Sequence, residues 1–85
     1  MQYKTWMIKH FINDKSMKGK LARDIKEDKK FPQNGLRKFD GWHTLILSYL
    51  LQYDASSSCL KAFEETWDEY EDAERKRLKM SPKKR

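Results

Sequence analysis

Trp42-His43-Thr44-Leu45-Ile46-Leu47-Ser48-Tyr49-Leu50-Leu51-Gln52-Tyr53 is the stretch on which the fold reading turns. Its large apolar residues Trp42, Leu45, Ile46, Tyr49, Leu50 and Tyr53 recur at helical spacing and trace one stripe. Leu47 and Leu51 widen that stripe to more than half of the circumference, which calls for partners on two sides and predicts a central helix. Asp40, just ahead, supplies an acceptor for the first free backbone N–H groups and predicts the helix start.

Working outward, Tyr3, Trp6, Met7, Ile8, Phe11 and Ile12 predict a short amphipathic helix from Tyr3 to about Asn13. Ser16 is placed to cap a second helix over Met17 to Lys30, with Leu21, Ala22 and Ile25 inward. Phe31 and Pro32 stop it, because proline lacks the N–H and disfavours helical backbone in the preceding residue. Gln33, Asn34 and Gly35 read as a turn, with Leu36 and Phe39 tucking back onto the core. After a polar break from Asp54 to Ser58, Leu60, Phe63, Trp67 and Tyr70 predict a last helix from about Ser57 towards Leu78. The expected architecture is all-α, a small bundle of four to five helices. Residues 1–73 form its single domain, and 74–85 a basic helix end and flexible tail.

At 85 residues, such a chain buries only roughly 60 to 65% of its unfolded surface. The three Trp, four Tyr and four Phe predict a core of a few bulky rings. The lone Cys59 excludes an internal disulfide and points to the reducing cytoplasm. No apolar run approaches the roughly 20 residues of a membrane span, and the charged first residues hold no signal-peptide core. The net charge of +6 is unevenly spread. Residues 63–74 hold seven acids and no base, and residues 75–85 seven bases and no acid, so the basicity belongs largely to the tail.

Leu21, Ala22, Ile25, Glu27, Asp28, Phe31 and Pro32, then Tyr49 and Leu50, then Phe63, Trp67 and Tyr70 together resemble the signature of the YozE family. The resemblance spans roughly residues 5–70 and implies a fold similar to the sterile alpha motif (SAM). The irregular linker from Gln33 to Gly41 and the basic C-terminal extension mark a divergent member, for which a mobile-element origin is one expectation. The resemblance implies no catalytic residue. Similar folds elsewhere serve as protein-interaction modules and occasionally as nucleic-acid binders, which is only a prior on function.

Catalysis has little to build on. Cys59 lies beside the Leu60 and Phe63 stripe and reads as an inert, partly buried thiol. His43 reads as a polar rim residue, and no close pair of Cys or His offers a metal site. Gly19, Gly35 and Gly41 are isolated, so no loop cradles phosphate. No enzyme activity, cofactor, metal or small-molecule substrate is expected. Two binding readings stand side by side. In one, Lys20, Arg23, Lys26 and Lys30 of the second helix and Arg75, Lys76, Arg77, Lys79, Lys83, Lys84 and Arg85 of the tail make weak, salt-sensitive contact with nucleic acid. In the other, the chain is a protein adaptor that uses the domain surface or the acidic face Glu65, Asp68, Glu69 and Asp72. The plain alternative for the whole acidic block, Glu64, Glu65, Asp68, Glu69, Glu71, Asp72 and Glu74, is one solvated helix face, laced by the pairs Glu71 with Arg75, Asp72 with Lys76 and Glu74 with Arg77.

Overall fold

The computed structural model describes residues 1–35 and 37–82. Leu36 and the tail residues Lys83, Lys84 and Arg85, each given a role above, lie outside the described residues. Four helices follow one another: α1 (Tyr3–Phe11), α2 (Met17–Glu27), α3 (Phe39–Gln52) and α4 (Ser57–Arg77). No strand occurs among the described residues.

Local chemistry sets the boundaries. The Ser16 hydroxyl accepts from the Lys18 N–H and opens α2, and Ser56 does the same for Cys59 N–H at the start of α4. α2 ends at Glu27, three residues earlier than expected. The Asp28 carboxylate takes the Lys30 N–H at 3.0 Å, which turns the backbone out of the helix, and Phe31 drops into the core. α3 begins before Trp42, and its N-cap is Lys38 in the left-handed region at φ 62°, with no side-chain cap. Asp40 sits in the first turn instead, where its charge suits the helix dipole.

The predicted central helix requires correction. Among the described residues, α4 packs closely on each of the other three helices, whereas α3 packs closely on α4 and on neither other helix. Phe39, Ile46 and Leu50 of α3 are buried, but Leu45, Leu51 and Tyr53 are 47%, 54% and 61% exposed. Helical periodicity marks an apolar face without saying what covers it. The bulkier stripe of α4, Phe63, Trp67 and Tyr70, takes the centre and meets Tyr3 of α1 at ring distances of 5.2 to 5.6 Å. The α4 stripe then continues one turn through Glu71 and Glu74, which are buried, so the core extends past Ala73. Leu78 and Met80 also pack against it.

Asn34, read above as a turn residue, is a buried polar hub. Its Oδ1 accepts the Tyr3 N–H and its Nδ2 donates to Tyr70 Oη, both at 2.8 Å, tying the linker to α1 and α4. Gly19 has a different task, because a Cβ there would stand 1.7 Å from the Asp14 carbonyl oxygen. Gly19→Ala is therefore expected to destabilise by about 1–3 kcal/mol through overpacking, despite alanine's better helix propensity. Thermal unfolding checks this, and an unchanged midpoint would mean the α1–α2 turn relaxes freely.

Candidate binding surface

The proposed nucleic-acid contacts do not form one free cationic surface. Arg23 donates to the carbonyls of Ile12 and Asp14 at 3.1 and 2.9 Å, closing the end of α1. Lys20 pairs with Asp24 at 3.0 Å. Arg75 donates to Glu71 at 2.7 Å, lies over the Phe39 ring and reaches the Ser81 carbonyl. Arg77 grips both oxygens of Glu74 at 3.0 Å. Lys26, Lys30, Lys76 and Lys79 are exposed and join no salt bridge among the described residues. Lys4 Nζ donates to the Asp28 carbonyl, and the Met1 ammonium meets Glu74, so the ends of α2 and α4 both approach the start of α1.

The acidic block divides in two. Glu71 and Glu74 turn inward and are held by the arginines above, which corrects the expectation of one solvated face. Burial works to raise the Glu74 carboxyl, but the Arg77 guanidinium and the Met1 ammonium outweigh it and hold it below its usual range. Glu65 and Glu69 stay exposed, bridged by Lys18 at 3.6 and 3.4 Å, while Asp68 and Asp72 are half-buried. Lys18 links α2 to α4, so this face has a structural use.

His43 has a partner, with Nε2 at 2.9 Å from Glu64 and its ring stacked on Phe63. Burial and the Asp24 charge push the Cys59 thiol above its ordinary value, which makes the reactive thiolate scarcer. Among the described residues, no group of three or more His, Cys, Asp or Glu is placed to hold a metal.

The least committed surface belongs to α3. At 100° per residue, Leu45 and Leu51 flank Ser48 on the side opposite Ile46, turned away from α4. Trp42, expected in the core, is half-buried. A methyl group at Gly35 would stand 3.3 Å from Trp42 Nε1, so the indole leans on the linker. A shallow depression borders it, formed by Lys38, Gly41, Trp42 and Leu45. Tyr49 is also half-buried and donates its hydroxyl to Asp28. That hydrogen bond and partial desolvation push the Tyr49 pKa up to about 12. The sequence contained the signal for this surface, an apolar stripe too wide for one neighbour, and among the described residues α4 is the one helix packed closely on it.

Residues 3–72 match the family model described as the YozE SAM-like fold. No curated protein and no solved structure matches the chain. No helix among the described residues is long and apolar enough to cross a membrane.

Proposed function

Because the chain belongs to the YozE SAM-like fold family, we propose that it is a non-enzymatic adaptor that docks a protein partner on the outer side of α3. One observation carries this reading. The most apolar helix of the chain buries only Phe39, Ile46 and Leu50 and presents Leu45 and Leu51 at about half exposure. Single exposed leucines are ordinary, but two on one outward helix side, beside a half-buried tryptophan, form the kind of patch that marks an interface. The proposed setting is the cytoplasm, where a lone cysteine is at home.

A second reading, weak contact with nucleic acid, is favoured by the exposed Lys26, Lys30, Lys76 and Lys79. Phosphate neutralisation by these lysines gives sequence-independent affinity that falls with salt. Arg23, Arg75 and Arg77, arginines being better suited to phosphate than lysine, are engaged internally, which places this reading second.

The test is capture from a lysate of the organism that carries the gene. It compares the whole chain, a Leu45→Lys/Leu51→Lys variant, and a variant with Lys26, Lys30, Lys76 and Lys79 changed to Glu. The expected result is a protein retained by the native chain and the lysine variant but lost with the α3 variant. Capture indifferent to Leu45 and Leu51 would overturn the reading. Salt-sensitive binding of mixed DNA or RNA, lost only with the lysine variant, would establish the second.

A further inference from the structure

A groove of about 180 Å³ opens between the second half of α2, the end of α3 and the first turn of α4. We propose that it receives a lysine or arginine side chain presented by a partner protein, a reading that rests on the adaptor function above and gives it a recognition element. The groove is smaller than the roughly 300–1,000 Å³ of clefts that enclose small-molecule ligands, and suits one long side chain. Its floor is apolar, formed by buried Ile25, Phe31 and Leu50, a surface for the methylene stem of a basic residue.

The walls suit the charged end. Tyr49 and Tyr53 lie with ring centroids 4.7 Å apart, and both line the groove, where a cation over a ring face gains electrostatic attraction. Two carboxylates, Asp24 and Asp28, face the same space. Asp28 is fixed by the Tyr49 hydroxyl and the Lys30 N–H. Among the described residues, Asp24 is held by Lys20 on its own helix, and both side chains of that pair are more than 60% exposed. Such a pair is weak and can be displaced. Lys20, Lys26 and Lys30 do not line the groove. An anion would meet both carboxylates, and a neutral side chain would leave them and the ring faces unused. Charge complementarity therefore selects a cation on an aliphatic stem.

The experiment is an NMR titration of the whole ¹⁵N-labelled chain with acetyl-Ala-Lys-Ala amide, acetyl-Ala-Arg-Ala amide and the corresponding norleucine peptide. The expected result is saturable shifts confined to amides around Asp24, Asp28, Tyr49 and Tyr53, with the norleucine peptide roughly tenfold weaker. Asp24→Asn and Tyr53→Ala, both at exposed positions, should each weaken the cationic peptides several-fold while leaving the rest of the spectrum unchanged. Equal response to norleucine, shifts centred on Glu65 and Glu69, or no saturation at millimolar peptide would overturn the proposal. Shifts at the groove on dilution of the chain alone would overturn a foreign partner and assign the site to a second copy. Leu45 and Leu51 are untouched in these variants, so a failure here leaves the docking reading to its own capture experiment.

Discussion

Tyr3→Ala is expected to leave the chain largely unfolded at room temperature. Tyr3 is fully buried at the meeting point of α1, α4 and the linker. Its ring touches those of Trp6, Phe31, Phe63, Trp67 and Tyr70. Thr66 Oγ1 donates to the Ala62 carbonyl at 2.7 Å, so it accepts the Tyr3 hydroxyl, also at 2.7 Å. Burial drives the Tyr3 pKa upward, which keeps the donor proton in place. Truncating a buried ring of this size costs about 3–5 kcal/mol, against a total of roughly 5–15 kcal/mol for a natural domain and less for a small one. Tyr3→Phe keeps the ring contacts and removes one hydrogen bond, for about 0.5–1.5 kcal/mol. Urea unfolding followed by circular dichroism separates the two, and equal losses would mean that the hydroxyl, not the ring cluster, holds α1 in place.

Helix identity was legible in the apolar period, with or without a side-chain cap, and a cap helped to fix the start where the sequence offered a true one. Ser16 and the Leu60, Phe63, Trp67 and Tyr70 stripe located α2 and α4, and the combined Glu27, Asp28, Phe31 and Pro32 with Trp67 and Tyr70 pattern reached the family. What stayed hidden depends on partners distant in sequence. Asn34 looks like any turn residue until Tyr3 and Tyr70 arrive at its two ends. Glu71 and Glu74 look solvated because their type is usually exposed, yet their positions continue the Trp67 and Tyr70 stripe. Charge runs were the poorest guide to a surface. Arg23, Arg75 and Arg77 close helix ends and neutralise buried carboxylates, roles that follow from geometry and not from composition.

The second large effect separates two tryptophans that look alike in sequence. Trp67 is 1% exposed and touches the rings of Tyr3, His43, Phe63 and Tyr70. Its replacement by alanine leaves a cavity at the centre of α4, where no neighbour can collapse without disturbing another helix. The cost should again be about 3–5 kcal/mol. Trp42 covers Gly35 from the half-exposed flank of α3, so Trp42→Ala forms an open notch that water can fill. Its cost should be about 1–2 kcal/mol, in proportion to the smaller apolar area withdrawn from water.

The most direct test of α4 as the organising helix, with α3 as the outer binding one, is urea unfolding of Trp42→Ala and Trp67→Ala beside the native chain. Trp42→Ala should show a cooperative transition at a modestly lower midpoint, and Trp67→Ala little or no folded baseline. Equal losses, or a greater loss at Trp42, would place α3 in the core and contradict both the packing order and the binding surface drawn from it.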